Sequence, residues 1–422
     1  MSVGYRTILF VGALFHLYYL LAAQRYGYFI YFVGYIAKNM YFCGENKFRF
    51  RKSKRMKILL IGEYSNVHHT LSLGLKELGH DVTLVSDGDG WKNYPRDIDL
   101  SRKSTGLLHT VEYLYRLHRL LPKLKGYDVV QLINPVFLEL KPERILPIYQ
   151  QLRKQNKSMF MDAFGMDYYW VKAGMDCKSF RYSDFNIGSK LRHTPDTEAF
   201  QQEWLNGYKG NLNRIIADDC DGIVCGLYEY YVSYMNHFDK KGKLCHIPFP
   251  IVQSNPAIDT NIPKRIKFFI GIQRTRNVYK GTDIMLGALQ KLQAAYPEQT
   301  EIVKAENVPF AQYTAMLEKC DVLLDQLYSY TPAMNALQAM SQGLVLVGGG
   351  EPEYYELMKE ETLRPIINVE PNEQSVFEAL EQLVLHPERI PLLKQESIAF
   401  IRKHHDHLAV AQQYVDFWKE RG

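Results

Sequence analysis

Met56-Lys57-Ile58-Leu59-Leu60-Ile61-Gly62 decides the fold: four apolar residues in a row, closed by a glycine. An apolar run this short, bounded by a turn residue, is the pattern of a strand buried on both faces. The chain then repeats the theme. Residues 70–78 are amphipathic and stop at Gly79-His80, as a helix does. Residues 81–85 give a second strand, 106–124 a longer helix, and 128–133 a third strand ending at Asn134-Pro135. A helix over 142–155 leads to a fourth strand at 158–161. After a long insertion come a helix near 211–218, a strand at 222–225 and a helix at 228–235. Strands alternating with helices in this way predict a parallel sheet covered on both faces.

Cys245-His246-Ile247-Pro248-Phe249-Pro250-Ile251 and the polar stretch 253–263 mark a linker, after which the alternation restarts. Strands are expected at 266–270, 301–303, 322–324 and 344–347, with helices at 282–296, 310–319 and 332–340 between them. Helices at 373–384 and 390–403 close this unit. A last one, at 408–419, is long enough to reach back to the first. The expected fold class is α/β: two Rossmann-like, doubly wound domains facing a cleft, with an N-terminal apolar extension. The boundaries read as 1–55 for the extension and 56–245 for the first domain. The hinge linker reads as 246–264, the second domain as 265–395 and the returning helices as 396–422. A chain of 422 residues is long enough for two separate cores. Doubly wound units that face each other bring the carboxyl ends of both sheets to one cleft.

Composition narrows the function classes. The formal charge of +5 is small, and much of it sits in the run 47–57, so nucleic acid is not the expected partner. Thirty tyrosines suit sugar-facing and interfacial surfaces. The six cysteines form no Cys-x-x-Cys pair and no zinc-ligand spacing, and read as small buried hydrophobes in a reducing compartment. Residues 7–23 are apolar apart from His16, and 26–37 form a second apolar run rich in aromatics. Two readings stay open: a membrane anchor held cytoplasmic by the basic run, or upstream sequence translated from a misassigned start, with Met56 the true beginning. The expected location is cytoplasmic, at the inner face of the plasma membrane.

The chemistry is clearest in the second unit. Thr331 is placed as the N-cap of a helix and Pro332 at its first position, which leaves the amides of Ala333, Met334 and Asn335 unpaired and suited to a phosphate. Gly271-Ile272-Gln273-Arg274-Thr275-Arg276-Asn277-Val278-Tyr279-Lys280-Gly281 follows a strand and precedes a helix on the same side of the sheet. Its cations, Arg274, Arg276 and Lys280, can meet the charge of a departing diphosphate.

From about Met56 to Gly422 the chain resembles retaining glycosyltransferase family 4 and its GT-B relatives. The matching stretches are Ile247-Pro248-Phe249-Pro250, Lys280-Gly281-Thr282-Asp283, Leu337-Gln338-Ala339-Met340-Ser341-Gln342-Gly343 and Glu351-Pro352-Glu353. The resemblance implies a nucleotide-diphosphate sugar as donor, bound through Lys280 and one of Arg274 or Arg276. It also implies retention of anomeric configuration, but says little about the substrate; the expected acceptor is a glycan or lipid-linked molecule in cell-surface polysaccharide synthesis. The family carries a Glu, seven residues and a second Glu, where this chain has Tyr330 and Gln338. Gln338 can still accept from a ribose hydroxyl. Tyr330 cannot supply the charge of the Glu that contacts the sugar.

In the first unit, the loop Gly62-Glu63-Tyr64-Ser65-Asn66-Val67-His68-His69 lacks the glycine pattern of dinucleotide binders. His68, or its neighbour His69, is the acceptor-side candidate there, with a merely solvated loop histidine as the alternative. Asp162 and Asp167, after the fourth strand, are expected at the cleft mouth, where carboxylates among aromatics suit a sugar; a helix cap is the alternative for Asp167. Asp87-Gly88-Asp89-Gly90 resembles a metal-binding pair but reads as a turn. No metal or other cofactor is expected, because side-chain cations and a helix terminus neutralise the diphosphate. Two further classes stay open: a sugar-nucleotide epimerase on the same fold, and a catalytically weak module that acts as an assembly partner.

Overall fold

The computed structural model describes residues 54–256, 261–273 and 276–422. The apolar extension and Arg274 lie outside the described residues. Residues 55–422 form one compact unit.

The first sheet has seven strands: β1 (Lys57–Ile61), β2 (Asp81–Ser86), β3 (Ile98–Asp99), β4 (Val129–Leu132), β5 (Ser158–Asp162), β8 (Gly222–Cys225) and β9 (Leu244–His246). Between β5 and β8 an insertion carries a small antiparallel hairpin, β6 (Asn186–Ile187) and β7 (Lys190–Leu191). The spatial order is β3-β2-β1-β4-β5-β8-β9, and every neighbouring pair is parallel. The second sheet, β10 (Ile266–Ile272), β11 (Thr300–Glu306), β12 (Val322–Leu324), β13 (Val345–Gly348) and β14 (Ile367–Asn368), runs β11-β10-β12-β13-β14, again all parallel. Both sheets reverse their winding direction once, between β1 and β4 and between β10 and β12. That is the doubly wound, Rossmann-like plan, which opens a crevice beyond the strand ends at each reversal.

Central strands are apolar because helices cover both faces. Ile58, Leu59 and Leu60 have no solvent exposure, and Phe268, Phe269 and Ile270 are equally buried. The last helix, His407–Arg421, belongs to the first sheet's layer. It packs on the helix Val67–Glu77, where a Cβ on Gly74 would stand 2.5 Å from the His407 carbonyl oxygen. Only glycine allows that approach. Trp418 donates its indole N–H to Gln131 Oε1 at 2.8 Å, and Tyr414 its hydroxyl to Asp162 Oδ1 at 2.8 Å. The crossing point is pinned by backbone: Ile251 N donates to His405 O and His407 N to Ile251 O, at 2.7 and 3.1 Å. Asp406 then caps the helix by accepting from Leu408 and Ala409 amides at 3.0 Å each.

Candidate functional site

The crevice of the second sheet is built from the loops after β10 and β12. After β10 the chain makes one short helix, Asn277–Lys280, and turns through Gly281 at φ 73° into the helix Thr282–Ala295. A side chain at position 281 would both strain this left-handed turn and meet Leu327 and Tyr328 below 3 Å. Lys280 is half-buried, and its ammonium is pushed below the usual lysine range by burial, against the pull of the Asp325 carboxylate. Asp325, just past β12, is pushed up by burial and held down by Lys280. Asn335 Nδ2 reaches Asp325 Oδ1 at 3.4 Å, and Tyr313 donates to Asn335 Oδ1 at 3.2 Å. Arg276 is exposed, its guanidinium 5.1 Å from the centre of the Tyr279 ring.

The helix after β12 is Met334–Ser341, with Ala333 at the cap and no side chain closing it. This corrects the expected start. Thr331 and Pro332 lie before the helix, and the two polar groups of Thr331 are engaged elsewhere. Its amide donates to Glu229 at 3.1 Å, and its hydroxyl oxygen accepts from Tyr228 N at 3.2 Å. The consequence survives the shift by two residues. Among the described residues no acceptor meets the amides of Met334, Asn335 and Ala336, while Leu337 N bonds Ala333 O at 3.0 Å. A bare helix start near a partly buried lysine is the arrangement that receives an anion. Asn335 and Gln338 are exposed on this helix, Gln338 donating to Ser341 Oγ at 3.2 Å; Met334 is buried.

Tyr330 is placed differently from the expectation. It is 2% exposed and packs on Tyr228, Tyr182 and Phe180 with ring centres 5.5, 4.9 and 5.8 Å away. Its hydroxyl oxygen accepts from Arg181 N at 2.8 Å. The Tyr330 ring is therefore a structural plug that seats the insertion between β5 and β8. Arg181 itself bridges Glu351 at 2.7 Å and Glu353, and the Tyr182 hydroxyl donates to Glu351. From the first half, Glu229 Oε1 accepts Tyr330 N at 2.6 Å, Thr331 N at 3.1 Å and Ser329 Oγ at 2.7 Å.

The other arm of the insertion grips the lysine loop. Arg192 donates to Val278 O at 2.8 Å and to Tyr279 O at 3.3 Å, and lies 3.4 Å from the centre of the Tyr328 ring. Tyr279 donates to Asp184 Oδ2 at 2.5 Å. Burial pushes the Asp184 carboxyl up to about 6, while Tyr279, Arg192 and Arg276 pull it down. Glu229 and Asp184 were not legible in the sequence. Both partner with residues about a hundred positions away, and the insertion has no periodicity to orient it.

His68, Asp162 and Asp167 are turned inward rather than to the cleft mouth. His68 and Asp162 have no exposure. His68 Nδ1 lies 2.8 Å from Gly62 O and Nε2 2.8 Å from Asp162 Oδ2. Both nitrogens face acceptors, so either the ring is an imidazolium beside a carboxylate or Asp162 keeps its proton. Burial pushes Asp162 upward; His68 and Tyr414 oppose it. Asp167 caps the helix Tyr168–Met175, accepting Trp170 N at 2.8 Å and the Tyr234 hydroxyl at 2.8 Å. Burial carries its carboxyl to about 6. The cap is its role in the fold.

Asp89 accepts from Ser65 N at 2.8 Å and pairs with Lys92 at 2.6 Å, and Asp87 accepts from Asp89 N at 3.2 Å. That is a turn stabilised by its own side chains. Among the described residues no group of three His, Cys, Asp or Glu side chains could hold a metal, and no helix is long and apolar enough to cross a membrane. Trp91 and Tyr94 from the neighbouring loop meet Phe310 edge-on, at 6.3 and 6.1 Å, and so join the two halves at one side.

No family profile and no curated protein matches the sequence. Solved structures do match in fold. HepE from Anabaena, solved with UDP and glucose, superposes with a TM-score of 0.55 at 11% identity over 87% of this chain and 100% of that one. Sucrose-phosphate synthase from Thermosynechococcus elongatus gives 0.53 at 14% identity, over 87% and 99%. WaaG, a glycosyltransferase involved in lipopolysaccharide biosynthesis, gives 0.51 at 11% identity, over 85% and 98%. The chain has the GT-B fold.

Proposed function

We propose that the protein is a glycosyltransferase that takes a sugar from a nucleotide-diphosphate donor held on the second half of the fold. One observation carries the reading. The unpaired amides of Met334, Asn335 and Ala336 open the helix after β12, and the same crevice holds the partly buried Lys280. In a site screened from water, two such sources of positive potential stabilise a diphosphate leaving group more than they do in bulk solvent. A GT-B structure crystallised with UDP and glucose supports the donor class.

In this reading Lys280, together with Arg274 or Arg276, neutralises the diphosphate, so the reaction needs no metal ion. Asn335 and Gln338, exposed on the same helix, are placed to hydrogen-bond the nucleoside. Asp184, beside the lysine loop, supplies a carboxylate near the donor that Tyr330 cannot. The acceptor is a glycan or lipid-linked sugar approaching from the first half, in polysaccharide assembly, with hexosyl transfer and retained configuration. His68, Asp162 and Asp167 shape the floor beneath that acceptor as buried supports.

A second reading, a non-catalytic module of the same fold, is favoured by the buried plug at Tyr330 and by Arg181 occupying Glu351 and Glu353. Incubation with a panel of nucleotide sugars, with and without glycan acceptors, separates the two. Acceptor-dependent release of a nucleoside diphosphate supports transfer. Donor binding with no release across the panel supports the module. Interconversion of sugars without acceptor would mean an epimerase.

A further inference from the structure

The turn that carries Lys280 is held from the first half. Arg192 follows the hairpin β6–β7 of the insertion, and its own backbone is fixed there. Its amide donates to Phe185 O at 2.7 Å, and its carbonyl accepts from the Thr197 hydroxyl at 3.0 Å. The guanidinium fork then joins two segments. Nη1 donates to Asp184 O at 3.0 Å inside the insertion, and Nη2 to Val278 O at 2.8 Å in the second half. Both nitrogens also reach Tyr279 O, at 3.3 Å each, and the centre of the Tyr328 ring lies 3.4 Å from the guanidinium carbon.

Val278 and Tyr279 belong to the four-residue helix Asn277–Lys280, whose last carbonyls have no partners within so short a helix. Tyr279 is fastened a second time. Its hydroxyl donates to Asp184 Oδ2 at 2.5 Å, and its ring meets Phe200 edge-on at 5.8 Å. Lys280 comes next, and its carbonyl accepts from Leu327 N at 3.1 Å. The lysine is thus bracketed by the insertion on one side and by the loop after β12 on the other. One helical turn that runs into a glycine has little stiffness of its own. A lysine ammonium rides on a flexible four-carbon stem, so the position of its backbone decides where the charge can stand.

We infer that Arg192 is a positioning residue for the donor: by clamping the Val278 and Tyr279 carbonyls it holds Lys280 where a nucleoside diphosphate meets it. The inference rests on the donor site proposed above. The guanidinium is taken up by these carbonyls and by the Tyr328 ring, which leaves the phosphates to Lys280. Donor binding then depends on a contact between the two halves, and by reciprocity a bound diphosphate favours the seated insertion.

The test is calorimetry of uridine, guanosine and adenosine diphosphates on the full chain, continued with the one that binds best. Arg192→Gln should weaken its binding roughly tenfold, a size common for coupled neighbours. In the Lys280→Ala background the same change should cost no more than about twofold, because the group that Arg192 positions is gone. Arg192→Lys keeps the stem and the charge but loses the fork, and should fall between wild type and Arg192→Gln. It carries the same cycle if Arg192→Gln does not fold. Binding by Arg192→Gln equal to wild type would overturn the inference. So would an equal loss with and without Lys280, which would make Arg192 a direct phosphate ligand. A wild type that binds none of the three diphosphates would overturn the donor site itself, and the inference with it.

Discussion

Arg181 Nη2 stands 2.7 Å from Glu351 Oε2, an ion pair that ties the insertion of the first half to the helix-start loop of the second. Glu351 is nearly buried and also receives the Tyr182 hydroxyl, whereas Arg181 is more than half exposed. Solvent screens the guanidinium end, so the pair is worth less than a fully buried one. Arg181→Met should destabilise the fold by about 1–2 kcal/mol. A cycle with Glu351→Gln, read by urea midpoints, should show the two changes coupled. Additive losses would mean that the contact does not fasten the halves.

Lys280→Ala should leave the urea midpoint nearly unchanged, because among the described residues no ion pair within 4 Å ties the side chain to the fold and burial already disfavours its charge. Donor turnover should fall by a factor corresponding to about 2–5 kcal/mol, the cost of removing a charge-assisted phosphate contact. Calorimetry of nucleoside diphosphate binding gives the same quantity without an acceptor. A variant that binds and turns over like the wild type would remove Lys280 from the donor site.

Excess EDTA should leave activity intact. Asp89 is committed to Lys92 and Ser65 N, so the Asp87/Asp89 pair is not poised for a cation. Loss of turnover on chelation, restored by added manganese, would reverse that assignment.

Burial holds the His405 imidazole down to about 3, although its bond to Phe249 O opposes the shift. The neutral ring donates from Nδ1 to Phe249 O at 2.9 Å and accepts at Nε2 from the Tyr354 hydroxyl at 3.1 Å. The folded value lies below the unfolded one near 6.5, so the unfolded chain binds more protons between them. His405 thus contributes stability above about pH 6.5 that is lost as the pH falls towards 3, about 2 kcal/mol of it by pH 5. Asp167 and Asp184, both raised to about 6, act in the opposite direction over part of this range. The comparison is therefore between wild type and His405→Phe. The variant's denaturant midpoint should fall less on acidification. Equal slopes would show that His405 is not held neutral.

Much of the fold was legible because it rests on local signals. The apolar run 58–61 became β1, and the glycine after Lys280 became the turn into the next helix. Length alone suggested that the last helix could reach back, and Tyr414 and Trp418 bond it to Asp162 and Gln131. The candidate site could be read only where it follows from a strand end, as at Lys280 and the helix after β12. Thr331 carries the residue type and proline neighbour of a cap, yet Glu229, about a hundred positions earlier, claims its amide and moves the helix start to Met334. Asp162 and His68 look like cleft residues by position in the chain. The returning helix and the Gly62 carbonyl, both invisible to local pattern, draw them into the core.

The most direct measurement is residue-resolved hydrogen exchange at the start of the helix Met334–Ser341, with and without a nucleoside diphosphate. In the free protein the amides of Met334, Asn335 and Ala336 have no acceptor among the described residues and should exchange fast. A bound diphosphate should become that acceptor and slow them selectively, and Lys280→Ala should weaken the effect. Tight binding with these three amides unprotected would place the diphosphate elsewhere and contradict the account.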